Sequence, residues 1–165
     1  MNFLVEGVSG TGKTSVCHEL RRRGFDAING DTDLAYQGDP VTGEPVDAPA
    51  SHWHHIWSIE AVRERASDLS RPVTFFCGGS RNAPRFAALF DAIFVLEIDL
   101  DTLNHRLDER GVDEFGSQGA ERELVLRLHQ TGEDTPTGGI AIDATRPLAE
   151  VVDDITRRAE NWNGH

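Results

Sequence analysis

Residues 7–14 read GVSGTGKT, and this octapeptide limits the possible folds of the chain more than any other segment. It matches the pattern G-x-x-x-x-G-K-[ST], in which backbone N–H groups and a helix N-terminus bind phosphate. The apolar residues 2–5 before it predict a strand. The residues after it predict a helix, with an apolar face of Val16, Cys17 and Leu20. Strand, glycine turn and helix together predict a nucleoside triphosphate site.

Of the 16 lysine and arginine residues, only Lys13 is a lysine, and it occupies the position that the pattern requires. Its narrow ammonium group can reach between β- and γ-phosphates, where the wide guanidinium fork of arginine fits poorly, so we predict a catalytic role for it. Thr14 is predicted to place its hydroxyl on Mg²⁺. The predicted ATP-binding residues of this loop are Gly7, Ser9, Gly10, Thr11, Gly12, Lys13, Thr14 and Ser15.

Length and charge exclude several classes of partner. A chain of 165 residues fits one domain, and the formal net charge of −12 argues against nucleic acid as the main partner. There is no apolar run long enough to span a membrane, and because a strand is predicted from residue 2 we expect no signal peptide. Cys17 and Cys77 are expected to be buried thiols in a reducing cytoplasm.

Four further apolar runs predict the rest of a sheet. They cover residues 25–29, 72–77, 92–98 and 140–143, and helical patterns separate them. One predicted helix carries Leu100, Leu103 and Leu107, a second carries Leu124 and Leu128, and a last one after Pro147 carries Leu148, Val151, Val152 and Ile155. Strands that alternate with helices predict a three-layer α/β/α fold with a five-stranded parallel sheet.

A helix capped by Ser51 is also predicted, because its inner positions recur at helical spacing. These positions are Ile56, Ile59, Val62, Ala66 and Leu69. On such a helix Trp53 and Trp57 would be neighbours one turn apart and could form a wall of an acceptor pocket, with simple packing as the alternative. His52, His54 and His55 lack further ligands at metal-binding spacing, and their role stays open.

Asp31 and Asp33 follow the second strand, at the sheet edge where ligands bind in such folds. Two residues apart at a strand end, they can point their carboxylates the same way. One would hold Mg²⁺ through water and the other would accept a proton from an attacking hydroxyl. The alternative for either residue is a structural turn made by its side chain.

Gly78 and Gly79 follow the third strand, and their exposed N–H groups would allow a substrate to approach closely. Arg81 could then hold an anionic group of that substrate, or it could be a solvated side chain. Arg106 and Arg110 lie one helical turn apart, just before the glycine-rich residues 111–119. This arrangement predicts a mobile lid that carries cations over a phosphoryl group, with a solvated face paired to nearby acids as the alternative.

These motifs resemble those of the small P-loop kinases, the group of shikimate, gluconate and adenylate kinases, over nearly the whole chain. The segments that carry the resemblance are 7–14, 31–33, 78–79, Arg106 with Arg110, and 142–147. The resemblance implies that Asp31 is the metal-side carboxylate and Asp33 the acceptor-binding base. It implies that Gly78 and Gly79 contact the acceptor. It also implies that Arg106 or Arg110 contacts the ATP, and that the loop Thr145–Pro147, including Arg146, lies near the adenine.

The chain also departs from these kinases. Shikimate kinases have a third glycine where Ser80 stands, and residues 24–62 contain no arginine or lysine that could hold an acceptor phosphate. This stretch favours an acceptor with hydroxyls and little negative charge over a nucleoside monophosphate.

The predicted function is transfer of the γ-phosphoryl group of Mg-ATP to a hydroxyl of a small metabolite, nucleoside or antibiotic. Residues 1–165 would form one domain, with an acceptor-binding part at about 31–70 and a lid at about 106–123, as a monomer or homodimer. Lys13, Asp33 and Arg110 would be catalytic, Arg106 and Arg146 would contact ATP, and Trp57 and Arg81 would contact the acceptor. A nucleoside monophosphate kinase and a non-catalytic nucleotide-binding regulator are the alternatives.

Two other classes fit poorly. A GTPase switch typically selects guanine with a second lysine motif, and Lys13 is already committed to the phosphate loop. A remodelling ATPase would be expected to carry an acidic pair at the end of a core strand, and Phe75-Phe76-Cys77-Gly78 has none.

Overall fold

A computed structural model describes residues 1–164 and contains a five-stranded parallel sheet with helices on both faces. The described strands are β1 (Asn2–Glu6), β2 (Asp26–Asn29), β3 (Ala35–Gln37), β4 (His55–Trp57), β5 (Thr74–Cys77), β6 (Ala92–Glu97) and β7 (Ile140–Asp143). The described α-helices are α1 (Lys13–Arg22), α2 (Gly30–Asp33), α3 (Ile59–Ala66), α4 (Leu100–Asp108), α5 (Gly119–Thr131) and α6 (Leu148–Glu160). Short 3₁₀ turns cover His52–His54, Ala83–Arg85 and Ala87–Leu89.

The large sheet has the order β2-β5-β1-β6-β7, so β1 is its central strand. Its residue Leu4 pairs in register with Phe76 on one side and Ile93 on the other. Because every neighbouring pair is parallel, the carboxyl ends of all five strands meet at one edge. The loop after β1 therefore projects from the middle of that edge, where open α/β sheets bind ligands.

Alternate residues of β1 enter two separate hydrophobic cores. Phe3 and Val5 pack with the buried faces of α1 and α6, whereas Leu4 packs with Trp57 and Phe76 on the opposite face. Successive strand side chains point to opposite faces, so a strand covered on both sides is apolar throughout. This explains why the central strands are continuous hydrophobic runs.

The predicted helix from Ser51 to Leu69 is wrong over its first half. The Ser51 hydroxyl caps only the turn at His52–His54, and β4 then pairs antiparallel with β3, with Tyr36 opposite Ile56. Helix α3 begins after Ser58, whose Oγ accepts a hydrogen bond from the Ala61 N–H. Pairing with β3 favours an extended backbone for these β-branched and aromatic residues. The spacing of apolar residues within 51–69 does not reveal that pairing.

Two apolar residues assigned to inner helix faces are largely exposed. Leu69 lies beyond the end of α3, and Leu148 lies in the first turn of α6. The rest of the α6 face is as predicted, with Val151, Val152 and Ile155 buried. Among the helices of residues 1–164, none has both the length and the apolar character needed to cross a bilayer.

Candidate active site

A cleft of about 600 Å³ opens at the carboxyl edge of the large sheet. Its walls come from the β1–α1 loop, from α4 and from the turn between β7 and α6. Among the predicted site residues, those that line it are Ser9, Gly10, Thr11, Gly12, Lys13, Thr14, Ser15, Asp31, Arg106, Arg110 and Arg146. The fold thus gathers residues from four separate segments into one cleft large enough for a small ligand.

The β1–α1 loop presents free backbone N–H groups to this cleft. Gly12 has a φ of 104°, a left-handed conformation that L-residues avoid, and it turns the chain into α1. The first α1 amide bonded to a carbonyl is that of Val16, which donates to Gly12 O at 2.9 Å. The amides of residues 12–15 have no acceptor within residues 1–164. Together with the helix dipole they form an anion site.

The ammonium group of Lys13 lies on the same loop. Its Nζ donates to Gly7 O at 2.5 Å and to Val8 O at 3.2 Å. Desolvation lowers the pKa of Lys13 below its usual value, although the charges of Asp31 and Glu6 oppose this. The side chain is therefore folded back on the loop, beside the free amides.

Arg106 binds backbone on both sides of the cleft. Its guanidinium donates to Thr11 O at 2.9 Å and to Ala144 O at 2.7 Å. Arg110 donates to Ser9 Oγ at 3.0 Å and to Phe115 O. The two predicted cations thus face the phosphate loop, and Arg106 also ties it to the end of β7.

Arg146 follows β7 at the far end of the cleft and is fixed by a buried carboxylate. Its NH2 atom lies 3.2 Å from Oδ2 of Asp154, whose side chain is only 7% exposed. Asp154 is also bonded to Arg157 and Arg158. This pairing fixes the Arg146 side chain at the cleft wall that follows β7.

Asp31 lies on the opposite side, between the cleft and the loop after β5. Its Oδ1 accepts a hydrogen bond from Gly79 N–H at 3.3 Å and lies 3.0 Å from Nε2 of His55. Burial alone would raise the pKa of Asp31, but the bond to His55 and the charge of Lys13 outweigh burial and hold it below its usual value. Asp31 is therefore an oriented, ionised carboxylate within the field of Lys13.

The structure does not bring Asp33 into the cleft, contrary to the sequence-based prediction. Its carboxylate pairs with Arg21 at 3.2 Å near the end of α1. Residues 30–33 form one helical turn, in which side chains two positions apart diverge by about 200°. The prediction assumed an extended chain, where residues 31 and 33 share a face.

Trp57 is 1% exposed and does not face a ligand, which corrects its prediction as an acceptor contact. The ring stacks on Phe86 at a centroid distance of 5.7 Å and lies directly beneath Gly30 and Gly78. At Gly78, with a φ of 144°, an added Cβ would lie 2.7 Å from Asp31 Oδ1 and 2.8 Å from the ring. Gly78 is thus the residue that lets the loop pass between Trp57 and Asp31.

Arg81 is not free to hold an anionic acceptor. Its guanidinium pairs with Asp134 and lies 4.9 Å from the ring centroid of Trp53. The other oxygen of Asp134 lies 2.7 Å from His52 Nε2, and the His52 ring stacks on Phe115. This network joins the loops after β5, α4 and α5 beside Gly79, and local sequence carries no signal of it.

Glu6 is a site residue that the sequence-based prediction missed. It ends β1, is 6% exposed, and its Oε2 is buried without a hydrogen-bond partner in residues 1–164. Burial raises the pKa of Glu6 to about 8; Lys13 opposes the shift, and Asp134 and Asp31 add to it. An acidic residue directly before Gly7, at the end of an otherwise apolar strand, was the available signal.

The donor atoms in the cleft suit a hard cation. The Thr14 hydroxyl and the Asp31 carboxylate both line it, and oxygen ligands are those that Mg²⁺ prefers. Within residues 1–164 no group of three or more His, Cys, Asp or Glu side chains could hold a metal by itself. The residues therefore fit a Mg²⁺ ion that takes most of its ligands from nucleotide phosphates and water.

Solved structures of small-molecule kinases share this fold. A gluconokinase from Sinorhizobium meliloti 1021 is 25% identical with a TM-score of 0.58, over 97% of this chain and 94% of that one. A shikimate kinase from Bacteroides thetaiotaomicron is 12% identical with a TM-score of 0.58, over 97% and 98%. A deoxyadenosine kinase from M. mycoides, solved with dATP, is 13% identical with a TM-score of 0.57, over 98% and 100%. At identities of 12% and 13%, the last two show the fold alone.

No curated protein matches the chain in sequence. A family model described as an AAA domain matches residues 4–127. The predicted resemblance, the α/β/α fold with its five-stranded parallel sheet and the assignment to small-molecule kinases are confirmed at the level of family and fold. Because the family match covers most of the chain, the protein belongs to the AAA domain family, and its fold groups it with the small P-loop kinases.

Proposed function

We propose that this protein transfers the γ-phosphoryl group of Mg-ATP to a hydroxyl of a small molecule. One observation carries the proposal: the ionised Asp31 carboxylate is oriented at the edge of the phosphate-loop cleft, beside the Gly79 N–H and within the field of Lys13. A carboxylate at that point can receive a hydroxyl group close to a bound γ-phosphate. The 25% identical gluconokinase structure supports this reaction class.

The nucleotide phosphates would bind the free amides at residues 12–15. Lys13 would exchange its carbonyl partners for β- and γ-phosphate oxygens, which compensates charge that develops in the transition state. Arg110 lies on Ser9 of the same loop and can add a second cation there. Arg146, fixed by Asp154, would contact the adenine end.

Thr14 and Asp31 would hold Mg²⁺, Thr14 directly and Asp31 through water. When bound, the ion neutralises phosphate charge and keeps the β- and γ-phosphates in one geometry. The Asp31 Oδ1 atom is already engaged by Gly79 and His55, so its Oδ2 is the oxygen left for a water or an acceptor.

Asp31, rather than Asp33, is the base in this proposal. It accepts the proton of the acceptor hydroxyl while that oxygen attacks the γ-phosphorus. The bond from the γ-phosphorus to the bridging oxygen breaks, and ADP leaves with the electron pair. The segment at 106–123 would act as a lid that excludes water, which would otherwise hydrolyse ATP.

A nucleoside monophosphate acceptor is disfavoured by the charges on the acceptor side. Residues 24–62 contain no lysine or arginine, and Arg81 is paired with Asp134. A second phosphate would therefore find no cation from residues 24–62, and Arg81 already has a carboxylate partner. A cytoplasmic location belongs to the same proposal, since both cysteines are buried free thiols.

The test is ADP release from Mg-ATP with a panel of sugars, sugar acids, nucleosides, nucleoside monophosphates and amino alcohols. We expect one class of hydroxyl compound to stimulate turnover, and Lys13→Ala to abolish it. Asp31→Asn should abolish stimulation while Mg-ATP still raises the melting temperature, which separates loss of chemistry from loss of nucleotide binding. Tight ATP binding with no stimulation by any class would argue for a regulatory nucleotide-binding protein.

A further inference from the structure

The Glu6 carboxyl has no partner in the part of the chain that the structure describes. The residue is 6% exposed, and its Oε2 atom is buried without a hydrogen bond. Buried polar atoms in folded proteins are almost always bonded, because an unpaired buried carboxyl loses its hydration without compensation. An orphaned carboxyl beside the Gly79 loop therefore indicates a partner that arrives with a ligand.

Glu6 is directed towards the acceptor side of the site. A Cβ added at Gly79 would meet its Oε1 at 3.8 Å. The Gly79 N–H donates to Asp31 Oδ1, so the two carboxyls approach the same glycine, Glu6 from β1 and Asp31 from α2. A small molecule held against Gly79 with its hydroxyl at Asp31 would also lie next to Glu6.

The cations near this point already have partners of their own. Lys13 is bonded to loop carbonyls and is needed by the phosphates, and Arg81 is paired with Asp134. Burial raises the pKa of Glu6 to about 8; the charge of Lys13 opposes this shift, and the charges of Asp134 and Asp31 add to it. A positive charge brought to Glu6 would stabilise its ionised form, whereas a carboxylate or phosphate would oppose that ionisation.

We infer that the acceptor is a hydroxyl compound that carries a protonated amine, with its ammonium group paired to Glu6 and its reacting hydroxyl at Asp31. This inference rests on the proposed phosphotransferase function and adds the charge of the substrate to it. A charge-assisted N–H···O bond satisfies the buried carboxylate more strongly than a neutral hydroxyl can. Amino sugars, aminocyclitols and amino alcohols have this chemistry.

The test compares acceptors that differ only in charge. ADP release is measured with glucosamine, N-acetylglucosamine, glucose and gluconate, and with matched amine and N-acetyl forms of aminocyclitols and amino alcohols. We expect turnover with an amine, and a loss in kcat/KM of about tenfold or more when that amine is acetylated. Better turnover of the neutral or anionic member of a pair would overturn the inference and leave the proposed function standing.

Glu6→Gln keeps the shape of the side chain and removes its ability to ionise when an ammonium group binds. It should lower kcat/KM for the amine by about tenfold and leave that for the N-acetyl form nearly unchanged. Glu97→Gln is the matched control, since Glu97 ends the neighbouring strand β6 and is exposed. Equal losses with both acceptors in Glu6→Gln would count against an ammonium partner.

If no acceptor is turned over, melting temperatures test whether an amine binds at Glu6. Melting temperatures are recorded for wild type and Glu6→Gln with a non-hydrolysable Mg-ATP analogue and each amine. A rise caused by an amine in wild type and absent in Glu6→Gln would support the ammonium site even if the kinase reaction failed. Equal shifts, or none, in both proteins would overturn it.

Discussion

The Nε2 atom of His55 lies 3.0 Å from Oδ1 of Asp31, the oxygen that also accepts the N–H of Gly79. One carboxylate oxygen is thus held from two sides, by strand β4 and by the loop after β5. The short hairpin of β3 and β4 therefore has a role in the site, because it brings His55 to Asp31. Because Oδ1 is fixed, the direction of Oδ2 is defined, and Oδ2 is the oxygen left for a water or an acceptor hydroxyl.

Asp31→Asn and Asp33→Asn should separate the two carboxylates of this segment. We expect Asp31→Asn to lower acceptor-dependent turnover by about 10²-fold or more, as for loss of a general base. Asp33→Asn breaks the exposed pair with Arg21, leaves an oxygen that can still accept from the Thr32 hydroxyl, and should stay within about threefold of wild type. Acceptor-dependent ADP release measures both. A larger loss in Asp33→Asn would restore Asp33 as the base.

Lys13→Arg should bind nucleotide poorly although it keeps the charge. The guanidinium is wide and planar, whereas the ammonium of Lys13 fits between Gly7 O and Val8 O on a tight loop. Mg-ATP is expected to raise the melting temperature of wild type and to leave that of the variant almost unchanged. Turnover should fall by about 10²-fold or more. Thermal stability without nucleotide serves as the folding control.

Gly78→Ala and Gly79→Ala should differ although the residues are adjacent. At Gly78 a Cβ would lie 2.7 Å from Asp31 Oδ1, and the φ of 144° is unfavourable for alanine. We expect a loss of about 1–3 kcal/mol in the free energy of unfolding and a marked loss of turnover. At Gly79 the nearest atom would be 3.8 Å away, so stability should be retained. Urea denaturation measures the free energy of unfolding of both variants, and equal losses in Gly78→Ala and Gly79→Ala would contradict the prediction.

Glu6 should make stability depend on pH. Its pKa is about 8 in the folded protein and near 4.5 in the unfolded chain, so between these values the folded state binds one more proton. The free energy of unfolding therefore falls as pH rises from about 4.5 to about 8, by several kcal/mol at most. Glu6→Gln removes this contribution, so the variant should become more stable relative to wild type as pH rises.

Urea denaturation at about pH 5, 6.5 and 8.5, two values within the window and one above it, measures this effect. Glu97→Gln should follow wild type at each pH, because Glu97 is exposed on the next strand. A constant difference between wild type and Glu6→Gln across the three values would show that Glu6 is satisfied in the folded protein by a group other than a ligand.

The phosphate loop and the large sheet could be predicted because their signals are local. The octapeptide at 7–14 fixes a strand, a turn and a helix, and continuous apolar runs mark strands that are covered on both faces. Each of these features is complete within about ten residues of sequence. The candidate nucleotide site followed for the same reason, since most of its residues belong to the loop itself.

The acceptor side could be predicted only in part because it depends on distant contacts. Arg81 is taken by Asp134, which is 53 positions away, and Trp57 is buried by Phe86 in a core that no local pattern reveals. One helical turn at 30–33 decides that Asp31 enters the cleft and Asp33 leaves it. Four residues are too few for periodicity to distinguish helix from extended chain.

The indole of Trp57 supports the glycine loop that the acceptor is expected to touch, although no acceptor can reach the indole itself. The height of that loop above the sheet is therefore set by the volume of a core side chain. Buried residues can thus affect which acceptors the protein selects. A larger or smaller side chain at Trp57 or Phe86 would lower or tilt the loop and admit molecules of a different shape. Laboratory evolution towards new acceptors should accordingly yield substitutions in this buried pair as well as in the cleft.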